Sequence, residues 1–292
     1  MKLHHLFLLL GLGLLAFSSC KKEYESIEQY DERQIQSYIK ANNLTGMTPY
    51  NDTGIYSKII TPGTGSEMDY TEQVPLVYTM KTLDGSYSST DTIVNHYGNY
   101  LGYFGITGLR EGVKEVLKNR GGEIRLLIPS RLAYGRNGSG SIPGNASLDV
   151  TVKALDIAGL DEYEDQMIKK YMDANGLTSS YTKTADGIYY RVVEMGSGSP
   201  ITADSVITAT YVGKLLNGTY FDGSATASST LTSYTLNTLA DCWVNILPLV
   251  KEGSTVRFIS PSKYGYGLTG SGAVPAFSPL YFDVKVTDVA SE

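Results

Sequence analysis

Hydrophobic and polar positions alternate in the same way along two stretches of this chain. Val74, Leu76, Tyr78 and Met80 share one face of the first stretch, and Ile207, Ala209, Tyr211 and Gly213 share one face of the second. Sustained alternation of this kind predicts a half-buried strand. Leu83-Asp84-Gly85 and Leu216-Asn217-Gly218 follow, and Asp-Gly and Asn-Gly are strong hairpin signals. Helical spacing precedes each strand. Ile35, Tyr38 and Ile39 form one face of a helix predicted over Glu28–Asn42, and Met167, Ile168, Tyr171 and Met172 one face of a helix over Asp161–Asn175. Short strands are expected over Ile55–Ile60 and Ile188–Glu194. A further helix is predicted from Arg110 to about Asn119, with Leu109, Val113, Val116 and Leu117 as its stripe and Gly121 placed to end it. Its counterpart, Trp243 to Lys251, contains Pro248, which predicts a short helix or one that starts near the proline. Strands over Glu123–Ile128 and Thr255–Ser260 come next. After a glycine-rich loop, each half closes on a strand, Ser147–Leu155 or Pro279–Val286.

The two halves are a repeat. Tyr38, Ala41, Asn42 and Leu44 return as Tyr171, Ala174, Asn175 and Leu177. Gly54-Ile55-Tyr56 returns as Gly187-Ile188-Tyr189, and Tyr134-Gly135 as Tyr266-Gly267. The period exceeds the roughly 20–50 residues of a solenoid unit and suits two complete domains. We divide the chain into 1–19, 20–27, 28–158 and 159–292. The expected fold class is α+β: two domains, each an antiparallel sheet curved around a short α-helix and each preceded by an N-terminal helix.

The first of these segments is read as a secretory signal. Lys2 gives a positive start, Leu6 to Phe17 is apolar apart from Gly11 and Gly13, and Ser18-Ser19-Cys20 follows. Small residues just before a cysteine resemble a lipoprotein signal, which implies that Cys20 is acylated and that residues 20–27 form a lipidated tether. The other cysteine, Cys242, lies in an apolar run and is expected to pack rather than react. The formal net charge is −6, and loss of Lys2 with the signal makes it one unit more negative, which argues against nucleic acid as a partner. Histidine is scarce at 3, and no His/Cys group has metal-ligand spacing. Neither a metal nor an organic cofactor is implied.

Specific motifs then emerge. Thr210-Tyr211-Val212-Gly213-Lys214-Leu215, followed by Asn217-Gly218-Thr219-Tyr220-Phe221-Asp222, resembles the opening signature of FKBP-type peptidyl-prolyl cis-trans isomerases. Ile259-Ser260-Pro261 through Tyr266-Gly267, then Ala273-Val274-Pro275 and Leu280-Tyr281-Phe282-Asp283-Val284, resemble the family's later segments. The first half has Ile128-Pro129-Ser130-Arg131-Leu132-Ala133-Tyr134-Gly135, then Ser141-Ile142-Pro143.

The resemblance implies a site in the second half. Trp243 falls at the family's pocket floor, with Tyr211, Phe221 and Phe282 at its walls. Tyr266 falls where a hydroxyl donates to the substrate carbonyl, and Asp222 where a carboxylate orients neighbouring donors. Leu239 and Ala240 fall at the segment whose backbone N–H contacts ligand, and Val274 on the late loop. The aromatic preceding that segment is assigned to Tyr234, with Thr232 as the alternative. In the first half Tyr78, Ile106, Leu109, Tyr134 and Ile142 are the counterparts. Ser88 and Ser89 stand for Phe221 and Asp222, and Val150 for Phe282, so this pocket is expected to be degenerate. The implied function is a prolyl isomerase and folding factor acting on proline-containing polypeptides. The acylated Cys20 would hold it at a lipid membrane of the cell envelope, with the outer membrane preferred and its face left open. The alternative is a non-catalytic accessory subunit of an envelope protein complex.

Overall fold

The computed structural model describes residues 25–290. The signal segment, Cys20 and most of the tether lie outside the described residues. The N-terminal helix α1 spans Ile27–Ala41 and starts in a capping box, in which the Ser26 hydroxyl accepts from the Gln29 N–H and the Gln29 side chain accepts from the Ser26 N–H. Its strands are β1 (Thr48–Tyr50), β2 (Ile55–Thr61), β3 (Leu76–Thr82), β4 (Ser88–Ser89), β5 (His96–Tyr97), β6 (Glu123–Ile128) and β7 (Leu148–Ala154). They form one antiparallel sheet in the order β1-β2-β6-β7-β3-β4, with β5 also paired to β3. The helix α2 (Thr107–Glu111) crosses the sheet face and runs on as a π-helical stretch over Gly112–Leu117.

The second unit repeats this plan. It begins with α3 (Leu160–Ala174) and continues through β8 (Thr182–Lys183), β9 (Tyr189–Glu194), β10 (Val206–Leu215), β11 (Tyr220–Asp222), β12 (Ser229–Thr235), the helix α4 (Asp241–Ile246), β13 (Thr255–Ser260) and β14 (Leu280–Ala290). The sheet order is β8-β9-β13-β14-β10-β11, with β12 paired to β10. Each sheet and its crossing helix enclose one apolar core. Leu109, Val113, Leu117, Leu126 and Val152 meet in the first, and Trp243, Ile246, Val256, Phe258 and Val284 in the second. Gly108 and Gly112 let α2 lie close to β6, because a Cβ on either would fall 2.4 Å from Ile128 Cγ2 or 2.5 Å from Leu126 Cδ1. No helix among the described residues is long and apolar enough to cross a membrane.

The bounds expected for the first crossing helix need correction. The first crossing helix starts at Thr107, not Arg110, and Gly121 does not end it: Lys118, at φ +66°, turns the chain instead. Gly121 lies in the following loop, where its N–H donates to the Ala154 carbonyl. In the second unit Pro248 sits in a 3-10 turn, Leu247–Leu249, directly after α4. The proline has no N–H to donate, and the α-helix stops short of it.

The N-terminal helix of each unit is fastened by a buried carboxylate. Asp31 accepts from Ser130 Oγ at 2.9 Å and Ser147 Oγ at 3.1 Å. Glu164 of α3 accepts from the Ser262 N–H and Ser262 Oγ, each at 2.6 Å. These bonds tie the helices to the Pro-Ser turns that follow β6 and β13.

Candidate functional site

The crossing helix, β10, β11, β12 and β14 converge on a cavity of about 120 Å³ lined by Tyr211, Phe221, Asp222, Leu231, Leu239, Ala240, Trp243, Tyr266 and Phe282. Sites for drug-sized ligands run to roughly 300–1,000 Å³, so this space suits a single small ring. Antiparallel register explains how two walls meet: Gly213 of β10 stands opposite Phe282 of β14 on one side and Asp222 of β11 on the other. Gly213 leaves room for the Phe221 ring, because a Cβ there would lie 2.5 Å from Phe221 Cζ.

The rings meet edge to face. Trp243 is 5.0 Å from Tyr211 and 5.6 Å from Phe282, centroid to centroid, and Phe221 is 5.6 Å from Phe282 and 6.1 Å from Tyr266. This geometry sets positive ring edges against negative faces. Trp243 is 5% exposed and forms the closed end, whereas Tyr266 is 41% exposed and stands at the mouth. The Tyr266 hydroxyl makes no hydrogen bond among the described residues, and neither does the Ala240 N–H at the start of α4. The Leu239 N–H is engaged, donating to the Leu236 carbonyl. Both of these donors at the cavity are unengaged among the described residues.

Asp222 accepts hydrogen bonds from the Tyr211 and Ser229 hydroxyls. Burial opposes its ionisation, but Ser229, Tyr211 and the Gly223 N–H together hold its carboxyl below the ordinary range. Burial and the neighbouring carboxylate push the Tyr211 phenol up, so its proton stays in the bond to Asp222. Cys242 is fully buried beside the pocket floor, and burial raises its thiol to about 12. It is a packing residue, without the depressed pKa of a nucleophile.

Two expected residues lie elsewhere. Tyr234 is 51% exposed and outside the cavity lining, as is Thr232; Leu231 takes the wall position. The register of β12 slips between Leu231, opposite Ala209, and Tyr234, opposite Ile207, and Ser233 has φ +56°. Tyr234 stands opposite Ile207, on the side of the pocket face, but beyond the bulge its ring is exposed and outside the lining. Val274 is 5% exposed but packs in the core cluster rather than lining the cavity. The sequence reading missed Leu231 and Ser229, since both depend on the β10–β12 pairing and neither residue type marks a site.

The first unit shows what replaces the cavity walls. Met80 stands opposite Ser89 and Val150, as Gly213 stands opposite Asp222 and Phe282. Met80 is 6% exposed in the core. Tyr97 of β5 pairs with Leu76 where Leu231 pairs with Ala209. Phe104 ends the turn before α2, as Leu239 ends the turn before α4. Its ring packs edge-on against Tyr78 at 5.5 Å and Tyr97 at 4.7 Å. Leu109, Ile106 and Ile142 are buried in the same cluster, and Tyr78 and Tyr134 pack against it.

Comparison with known proteins bears on the same segments. The family model for FKBP-type peptidyl-prolyl cis-trans isomerase matches residues 62–155 and 198–287. The chain is 34% identical over 118 residues to the FKBP-type peptidyl-prolyl cis-trans isomerase FkpA of Aeromonas hydrophila, covering 40% of this chain and 44% of that protein. It is 31% identical over 121 residues to the FKBP-type 22 kDa peptidyl-prolyl cis-trans isomerase of Escherichia coli, covering 41% and 58%. The chain thus spans about half the length of the curated relatives it matches. Among solved structures, FkpA from Escherichia coli is 25% identical with a TM-score of 0.37, over 45% of this chain and 63% of that one. The three FKBP domains of wheat FKBP73 are 19% identical with a TM-score of 0.32, over 82% and 95%. With the family's pattern matched once in each of its two repeated units, this chain belongs to the FKBP-type peptidyl-prolyl cis-trans isomerases.

Proposed function

We propose that the protein is a prolyl cis-trans isomerase whose working pocket is the aromatic cavity of the second unit. The observation that carries this reading is the ring set Tyr211, Phe221, Trp243 and Phe282 around a ring-sized space with two unengaged donors at its edge. Rotation about a peptide bond meets a barrier of ~18–20 kcal/mol, because the planar amide is resonance-stabilised. In the twisted state that resonance is lost and the group is less dipolar. An apolar enclosure therefore favours the twisted form over the planar one, and catalysis follows from that difference alone. The proline ring would enter toward Trp243. The Ala240 N–H and Tyr266 hydroxyl would hold the flanking carbonyls, and Asp222 would keep the Tyr211 ring in place. No covalent step is required.

The first unit is assigned a scaffold role. Ser88, Ser89 and Val150 supply neither the rings nor the carboxylate of the second pocket, and the buried Met80 and Phe104 add bulk on that side of the core. Proline-containing polypeptides are the proposed substrates, with folding as the setting. Acylation of Cys20 would tether the protein to an envelope membrane, with the outer membrane preferred; the signal layout and the cysteine at its end support this. Replacing Cys20 by Ala should release the protein from the membrane fraction.

Trp243 is the sole tryptophan of the chain, which makes the test direct. A prolyl tetrapeptide titrated into the full chain should shift its fluorescence. The same peptide should isomerise faster with the wild type, and Trp243→Ala or Asp222→Ala should lower that acceleration by about tenfold or more. Background rates in all three proteins would remove the enzymatic reading.

A further inference from the structure

With one segment, Asp91–Gly98, the first unit touches two parts of the second unit that adjoin cavity residues: the hairpin before β11 and the loop after Tyr266. At its start, Asp91 accepts a hydrogen bond from Asn217 Nδ2 at 2.7 Å. Asn217 lies in the hairpin that leads into β11, the strand carrying Phe221 and Asp222. Ile93 packs against the clusters that hold Phe282 and Tyr281. At the end of the segment, the His96 ring stacks on Phe277 at 4.1 Å and an interplanar angle of 14°, and its Nδ1 lies 2.9 Å from the Ala276 carbonyl. Gly98 makes the closest approach, because a Cβ there would lie 1.8 Å from the Leu268 carbonyl oxygen. Leu268, Ala276 and Phe277 belong to the loop that follows Tyr266, and the Phe277 N–H closes that loop on the Gly267 carbonyl at 3.0 Å.

Phe277 shows that this loop is shaped for the contact. The matching loop of the first unit is closed by Asn145, whose N–H donates to Gly135 at 2.8 Å with φ +58°. Asparagine tolerates the left-handed region. Phe277 occupies the same place at φ +35°, where a bulky side chain is out of its usual range. Its ring is fully buried, and it packs with Val77 and Leu155 of the first unit. A strained backbone of this kind persists only where its surroundings fix it. Here those surroundings combine His96, Val77 and Leu155 of the first unit with Leu160 and Tyr163 of α3.

We propose that Asp91–Gly98 is a brace that sets the width of the second unit's cavity mouth, and that His96 is a positioning residue for prolyl isomerisation, acting through Ala276 and Phe277 on Tyr266. The proposal rests on the reading of that cavity as the isomerase site. The first unit then contributes to the reaction without the ring set that walls the second unit's cavity. It holds the two rim residues, Phe221 and Tyr266, at the spacing a peptide must enter.

The test compares full-length wild type, His96→Ala, His96→Asn, Gly98→Ala and Trp243→Ala on a prolyl tetrapeptide. His96→Ala removes the stack and the donor to Ala276, and Gly98→Ala wedges the two units apart. Each should raise KM at least about fivefold while kcat stays within about twofold, the pattern of lost binding rather than lost chemistry. His96→Asn keeps an amide donor near the Nδ1 position and should restore KM to within about twofold of wild type. An active wild type, an inactive Trp243→Ala and unchanged KM in both His96→Ala and Gly98→Ala would overturn the brace. Absence of activity in the wild type would instead remove the isomerase reading. The amide exchange rate of Phe277 separates the two: it should rise in His96→Ala and Gly98→Ala and not in His96→Asn, and an unchanged rate would overturn the brace whatever the activity.

Discussion

Gly213 and Phe221 are fitted to each other: the ring of Phe221 lies where a side chain on Gly213 would begin, 2.5 Å from the position of its Cβ. The first unit has the opposite pair, Met80 at the glycine position and Ser88 in the strand facing it. A large residue on the inner strand and an aromatic on its neighbour exclude each other. One unit therefore sets an aromatic ring beside a glycine, and the other a methionine opposite Ser89 and Val150.

Replacing Gly213 by Ala should displace the Phe221 ring and leave the sheet intact. The expected result is a loss of about tenfold in kcat/KM on a prolyl peptide, with a melting temperature within a few degrees of wild type. Equal loss of activity and secondary structure would mean that Gly213 serves the fold and not the cavity.

The Tyr211–Asp222 pair makes a second prediction. Tyr211→Phe removes one hydroxyl donor and leaves Asp222 with Ser229 and Gly223. A hydrogen bond to a charged group contributes roughly 1.5–3 kcal/mol, so denaturant unfolding should show a loss near the lower end of that range. The carboxyl of Asp222 should titrate higher in the variant. Its ordinary pKa is depressed by folding, so its stabilising contribution is present above that value and fades as pH falls through the folded one. An unchanged Asp222 titration, followed by carbon NMR, would contradict the assignment.

Two buried groups should give stability opposite pH slopes. Burial lowers His96 from 6.5 to about 4, against the opposing effects of the Ala276 carbonyl and Asp91, and its Nε2 has no hydrogen-bond partner among the described residues. The unfolded chain takes up that proton first, so stability falls as pH drops from 6.5 toward 4. Tyr163 stands 6.3 Å from the His96 ring and stays neutral there, its own phenol being raised to about 12 by burial. Burial raises Glu164 from 4.5 to about 7, more than its two bonds from Ser262 offset. The folded chain keeps that proton, so stability falls as pH rises from 4.5 through 7. Each slope amounts to up to about 3 kcal/mol, and between 4.5 and 6.5 they oppose each other. Thermal unfolding should therefore lose stability with rising pH in His96→Asn, and gain it with rising pH in Glu164→Gln. A flat profile in both variants would contradict the burial argument.

The sequence made much of this legible because the repeat doubled every signal. Alternation put Tyr78 and Tyr211 each on the core side of its own strand, and both Asp-Gly and Asn-Gly hairpins form, with Gly85 at φ +75° and Gly218 at φ +90°. The strands Glu123–Ile128 and Thr255–Ser260 match the spans read from the pattern. What failed was set by long-range pairing. Leu231 reaches the cavity because β12 sets it opposite Ala209, and nothing in Leu231-Thr232-Ser233-Tyr234 announces that pairing or the slipped register beyond it. Lys118 ends the first crossing helix in a conformation that glycine favours, so the glycine signal pointed past the true end. The His96–Phe277 stack joins residues of different units, and no local pattern carries such a contact.

The central claim is that a proline ring enters the space beside Trp243 and turns there. Exchange NMR on a prolyl peptide measures this without a coupled enzyme. With a substoichiometric amount of the full chain, cis and trans resonances should exchange measurably faster, and the acceleration should vanish with Trp243→Ala while the first-unit variant Tyr134→Phe retains it. Exchange at the uncatalysed rate with wild type, or full acceleration by Trp243→Ala, would contradict the account.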